Sequence, residues 1–174
     1  MNFLRDLALS HQRHEGYGTS NAPTITNNNN PGALRWHKSQ KAFGGEYRID
    51  FTWFPSYERG FEALKADIKA KITGASAYID YSNNPTFLDY VKVYAPEEDS
   101  NDPSSYVQAL IRSLPDYNLK PNTPLTVLAG YISGVKPVES IALRSNYKRA
   151  LRAFMRAVGA IKRMIGRRLT RLRK

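Results

Sequence analysis

Apolar positions recur along this chain at two periods, and each change of period marks a new element. Near the start, Phe3, Leu4, Leu7, Ala8 and His11 are spaced three or four residues apart. That spacing returns to one side of a 3.6-residue helix, and Gly16 and Gly18 mark its end. The segment TSNAPTITNNNNPG that follows is poor in helix formers and rich in Asn, Pro and Gly, so it reads as a loop. In FGGEYRIDFTWF, a Gly-Gly pair precedes alternation of Tyr47, Ile49, Phe51 and Trp53 or Phe54 with polar partners, the pattern of a short strand or hairpin. After Pro55 the helical period returns. Ser56 is placed to cap a helix through ERGFEALKADIKAKI, with Phe61, Leu64, Ile68 and Ile72 inward; Arg59 stands where a capping box needs an acid or amide. Further helices are predicted at PTFLDYVKVYA, PSSYVQALIRSL and TPLTVLAGYISG, each opened by a Pro or a Ser/Thr/Asn signal and closed by Pro or Gly. The sum is an α+β chain, mainly α, with one small sheet.

The last segment differs in kind. Leu143, Tyr147, Leu151, Phe154, Val158, Ile161, Ile165, Leu169 and Leu172 recur at helical intervals with cationic side chains on the opposite arc. One long amphipathic helix is predicted, with Gly159 and Gly166 as its points of interruption. Its first half is expected to pack on the domain, and its Arg-rich end from about Ala157 has the composition of an interfacial helix.

Composition sharpens this picture. The 174 residues suit one domain, placed at residues 1–138, and a cationic appendage at 139–174. The absence of cysteine excludes a disulfide framework and any Cys-based zinc site. The opening MNFLRDLALS carries an acid and lacks the apolar run of a signal peptide, and no stretch approaches the roughly 20 apolar residues of a membrane span. A soluble product made in the cytoplasm is expected. The net charge of +11 is unevenly distributed: residues 141–174 hold twelve Lys or Arg and no acid, and the remainder carries fourteen bases against fifteen acids. Such asymmetry points to a polyanion or an anionic membrane contacted by one segment.

The order of features carries a resemblance. A helix ending in Glu15-Gly16 leads to an Asn-rich loop with Asn29-Asn30-Pro31-Gly32-Ala33-Leu34-Arg35, a Gly-Gly hairpin, then Phe54-Pro55-Ser56-Tyr57-Glu58-Arg59-Gly60-Phe61-Glu62-Ala63. Over roughly residues 5–134 this order resembles the phage and bacterial lysozyme-like enzymes of the lytic transglycosylase type. Ala33 stands where the family's loop has a second Asn, and the basic tail has no counterpart in the family pattern. The resemblance implies a lysozyme-like fold and cleavage of the MurNAc-GlcNAc β-1,4 bond of peptidoglycan. It also implies an endolysin made in the host cytoplasm, reaching the periplasmic cell wall by another route or carried in a virion.

Cleaving that bond requires a proton for the leaving oxygen, and a carboxyl group keeps its proton at neutral pH when partial burial raises its pKa. Glu15 is the catalytic general acid, and then base, that the resemblance implies; Tyr17 and Trp36 are the aromatic residues expected to desolvate it. A solvated glutamate at a helix end is the alternative. Glycosidases commonly use a second carboxylate, for which the hairpin offers Glu46 and Asp50, each also readable as a solvent-facing strand residue. Transglycosylases manage with one acid because a hydroxyl of the sugar attacks the intermediate, and hydrolysis against transglycosylation stays open. Asn30, Pro31, Gly32 and Leu34 resemble the cleft loop, either binding an acetamido group through turn amides or forming a structural turn. Tyr131 resembles the tyrosine that orients the catalytic Glu in related enzymes, and Tyr94 either lines the groove or packs in the core.

His11 and His14 have a metal-compatible spacing but no third ligand nearby, so no metal or other cofactor is assigned. In the tail, Lys162, Arg163, Arg167, Arg168, Arg171 and Arg173 suit anionic membrane or lipopolysaccharide, each base contributing about 1 kcal/mol near such a surface. Nucleic acid is the competing partner, since phosphates attract Arg equally well. Two function classes follow: a peptidoglycan-cleaving enzyme with a cationic anchor, or a non-enzymatic virion or nucleic-acid-binding protein on the same scaffold.

Overall fold

The chain enters its first helix through Asn2, whose side chain accepts the Arg5 N–H and so satisfies one of the free donors of the first turn. The computed structural model describes residues 2–135; the predicted tail helix, its cationic residues and the boundary expected after residue 138 lie outside them. Helix α1 (Phe3–His14) buries Phe3, Leu7, Ala8 and His11 and half-buries Leu4, the face its spacing predicted. A short α2 (Pro23–Asn27) follows, then a two-stranded antiparallel sheet of β1 (Glu46–Tyr47) and β2 (Thr52–Trp53). Four helices complete the unit: α3 (Tyr57–Thr73), α4 (Phe87–Tyr94), α5 (Pro103–Arg112) and α6 (Leu125–Ile132). The expected α+β, mainly α class is therefore found. Among the described residues, no helix is long and apolar enough to cross a membrane.

Helix α3 is the central element, packing on α1 and α6 while α4 packs on α5. Ser56 caps it by accepting the Arg59 N–H, and Gly74 ends it at φ +90°. Leu64 and Ile68 are fully buried and Ile72 nearly so, each contributing about 1.5–3 kcal/mol by removal from water. Phe61 is only partly buried. Helices α4 and α6 start side by side: Thr123 and Pro121 carbonyls accept the Phe87 and Leu88 N–H groups, and the Pro85 carbonyl accepts that of Leu125. These bonds satisfy first-turn donors across two elements at once.

Two local expectations need correction. The Asn-rich segment read as loop contains α2, which Pro23 starts at its first position, where a missing N–H costs nothing. In the hairpin, the alternation read from Tyr47, Ile49, Phe51 and Trp53 or Phe54 does not mark one buried face. Tyr47 and Ile49 are 72% and 81% exposed, whereas Thr52 and Phe54 are fully buried. With only two residue pairs in register and Asp50 at φ +67° in the turn, the strands are too short for alternation to be decisive.

Candidate active site

The end of α1 is built by backbone geometry that a glycine after Glu15 makes possible. Gly16 adopts φ +72°, the Gly16 N–H is donated to the Arg13 carbonyl and the Tyr17 N–H to the Gln12 carbonyl. This is a Schellman closure, with Glu15 as the last residue of right-handed conformation. Glu15 thus sits one turn beyond His11, at the negative end of the helix dipole.

Its carboxylate is half-buried and Oε1 accepts the Tyr106 hydroxyl at 2.6 Å. Burial pushes the Glu15 pKa up, and the hydrogen bond donated by Tyr106 opposes that rise without cancelling it. Behind Tyr106 stands His11, fully buried: its Nδ1 lies 2.8 Å from the Tyr106 hydroxyl and its Nε2 2.8 Å from that of Tyr90. Burial, and then the nearby charges of His14 and Lys71, hold the His11 pKa well below the usual imidazole value, so the ring is neutral. The rings of Tyr94 and Tyr106 pack against it at 4.1 and 5.4 Å, and His14 lies over Tyr106 at 3.8 Å. Helices α1, α4 and α5 therefore each supply part of one polar chain, Glu15–Tyr106–His11–Tyr90, inside an otherwise apolar core.

The aromatic residues expected around Glu15 have other partners. Trp36 is 38% exposed and meets Tyr47 edge-on at 6.5 Å, while Tyr17 packs on Tyr57. The tyrosine hydrogen-bonded to Glu15 is Tyr106 rather than Tyr131, whose hydroxyl donates to the Tyr117 carbonyl and whose ring packs near Phe3. No signal in the α5 segment singled out Tyr106 beyond its inward position; His11 on the apolar face, four residues before the acid, was the readable clue to a buried polar cluster. Glu46 and Asp50 are exposed in the hairpin.

The Asn-Pro-Gly loop is architectural in this conformation. Asn30 is fully buried, its Oδ1 accepts the Leu34 N–H, and its Nδ2 donates to the carbonyls of Leu34 and Thr52. Its side chain joins the loop to β2 and has no amide proton left for a sugar. Asn28 accepts the Phe54 N–H through its carbonyl, and Asn29, at φ +51°, donates to the Phe54 carbonyl. Pro31 and Leu34 are buried, and Gly32 has no room for a Cβ, which would lie 2.4 Å from Leu64 Cδ1 and 2.9 Å from the Tyr94 hydroxyl. Tyr94 is half-buried and donates to the Gly32 carbonyl at 2.6 Å, which pins this loop to α4. Of the residues assigned to substrate, Asn30, Pro31, Gly32, Leu34 and Tyr94 thus hold one another, and Tyr131 belongs to a separate aromatic cluster.

A cavity of about 230 Å³ lies elsewhere along α1, lined by Asp6, Leu9, Arg13 and residues 113–117; Glu15 does not line it. Among the described residues, no cluster of three His, Cys, Asp or Glu side chains has the geometry to hold a metal ion. No family model, curated protein or solved structure matches the chain.

Proposed function

We propose that this chain is a lysozyme-like, peptidoglycan-cleaving enzyme that cuts the MurNAc-GlcNAc β-1,4 bond with Glu15 as general acid. The observation that carries this reading is a half-buried glutamate whose pKa is raised by burial while one of its oxygens is fixed by a tyrosine hydroxyl. A proton donor for a glycosidic oxygen needs both features: a proton held more tightly than by a solvated carboxyl group and a defined direction for delivering it. Glu15 gives its proton to the leaving O4 as the C1–O4 bond breaks. As carboxylate it then accepts the proton of the hydroxyl that attacks C1. With Glu46 and Asp50 exposed in the hairpin, a one-acid route is favoured, in which the attacking hydroxyl belongs to the sugar itself and the product is an anhydro sugar. Glu15→Gln is expected to abolish solubilisation of purified peptidoglycan while leaving binding nearly intact; equal solubilisation by the variant removes Glu15 from the role.

The cationic tail extends the proposal to an anchor on anionic membrane or lipopolysaccharide, supported by twelve bases and no acid in residues 141–174. A chain ending at Val138 is expected to cut isolated peptidoglycan yet lose action on intact cells. The second reading, a non-enzymatic virion or nucleic-acid-binding protein on a lysozyme-like scaffold, is favoured by the same charge asymmetry and by the described cavity lying away from Glu15. Anionic liposomes compared with DNA at matched salt separate the two polyanions.

A further inference from the structure

The polar chain behind Glu15 has a direction, and hydrogen-bond capacity alone fixes it. Among the described residues, the Tyr90 hydroxyl meets one polar partner, His11 Nε2. Tyr90 is fully buried, and no buried side-chain polar atom of the described residues lacks a partner. A buried hydroxyl with a single neighbour must donate to it to avoid an orphaned proton. Nε2 is then an acceptor, so the single proton of the neutral ring sits on Nδ1. Nδ1–H donates to the Tyr106 oxygen, and Tyr106 has its own proton left for Glu15 Oε1. Each donor is aimed by the one behind it, and the chain ends on the acid.

We propose that His11 is a positioning residue that, through Tyr106, makes Glu15 Oε1 an obligate acceptor and so confines the carboxyl proton to Oε2, the oxygen left to face a substrate. The inference rests on the reading of Glu15 as general acid and adds what determines where that acid carries its proton. If the ring held its proton on Nε2, the Tyr106 hydroxyl would donate to Nδ1. Glu15 would then donate to Tyr106 from Oε1, and the proton needed for the leaving oxygen would be held inward. His11 touches neither substrate nor reacting atoms; it acts only through Tyr106. The charged or titratable groups facing it are His14 and Glu15 from the end of α1, Lys71 and Asp67 from α3, and the hydroxyls of Tyr90, Tyr94 and Tyr106. Lys71 is paired with Asp67 one turn before it, so α3 presents the ring with a largely balanced pair.

The test has two arms. Long-range nitrogen–proton NMR of the full-length, nitrogen-15-labelled protein at neutral pH reads the tautomer directly, with His14→Gln and His37→Gln variants assigning the signals. The expected result is a neutral His11 protonated on Nδ1; a ring protonated on Nε2, or an imidazolium, overturns the proposal whatever the enzymatic activity. In the second arm, His11→Asn retains an amide donor near the Nδ1 position and His11→Gln one near Nε2, and both lose the ring. Peptidoglycan release is expected to fall by about tenfold or more in His11→Gln, with an altered pH–rate profile, and by no more than about threefold in His11→Asn. Equal losses and unchanged profiles in the two variants reduce His11 to core filling and overturn the positioning role. A wild-type protein that releases nothing contradicts the enzymatic reading, while the NMR arm still decides the direction of the chain.

Discussion

Tyr106→Phe is the most informative single substitution, because it removes one oxygen atom that serves two partners and nothing else. The Phe ring preserves contact with His14 and Tyr94, so packing changes little. Two polar groups lose a partner: Glu15 Oε1 loses its donor and His11 Nδ1–H its acceptor. A lost hydrogen bond to a charged group costs about 1.5–3 kcal/mol and an orphaned buried donor about 1–3 kcal/mol; shared relaxation brings the expected total at pH 7 to about 2–4 kcal/mol. The cost depends on pH in a determined sense. The folded-state pKa of Glu15 lies above its unfolded value, so the bound proton stabilises the fold fully below the unfolded pKa of about 4.5, and that contribution is lost as pH rises through the folded pKa. Removing the Tyr106 hydroxyl takes away the interaction that favoured the carboxylate, which widens the shift. The variant should therefore be penalised more at pH 7 than at pH 4, which lies below the unfolded pKa. Thermal unfolding followed by circular dichroism provides the assay, with each 1 kcal/mol lowering Tm by about 3–5 °C for a unit of this size. An equal Tm loss at both pH values, or a loss below about 2 °C, refutes the Glu15–Tyr106–His11 linkage.

The same linkage predicts the opposite sign for the acid itself: Glu15→Gln should unfold at a higher temperature than wild type at pH 7 and gain little at pH 4, as followed by the same melts. Gly60→Ala should lose more than about 3 kcal/mol in urea titration, because its Cβ would lie 1.8 Å from the Asn29 carbonyl oxygen, a backbone atom of the loop that the Asn28 carbonyl and the Asn29 side chain tie to Phe54. A loss under 1 kcal/mol would show that α3 does not approach the loop so closely. Asn30→Ala should cost about 2–4 kcal/mol, since the buried Leu34 N–H loses its acceptor and the Thr52 carbonyl its Asn30 donor, while the Leu34 carbonyl keeps the Thr52 N–H. Unchanged stability with weakened glycan binding would restore Asn30 to the substrate role.

The helices were legible where period and cap agreed. In α3, Ser56, Leu64, Ile68, Ile72 and Gly74 carry start, face and stop within one local segment, and α1 ends where Glu15-Gly16 requires it. Helix α2 escaped notice because five residues opened by Pro and followed by Asn have no room for a period. In the hairpin, alternation alone did not mark the core face, because Tyr47 and Ile49 are exposed, Phe54 is buried, and Thr52, a polar residue, holds an inward position through Gln40. Glu15 could be singled out only through the resemblance, which sets a glutamate before the glycine that closes α1. Its partner could not: Tyr106 is 91 residues away among eleven tyrosines, and only the packing of α5 on α1 brings them together. The Asn-Asn-Pro-Gly motif was visible, but its work was not, because whether an amide is directed at a sugar or at the backbone of β2 depends on long-range geometry.

The central claim is that Glu15 delivers a proton to a glycosidic oxygen, and mass spectrometry of fragments released from purified peptidoglycan tests it most directly. The expected outcome is glycan fragments cut between MurNAc and GlcNAc, with anhydro ends, from the wild-type protein and none from Glu15→Gln. Intact glycan after incubation with wild type, or the same fragments from the variant, would contradict it.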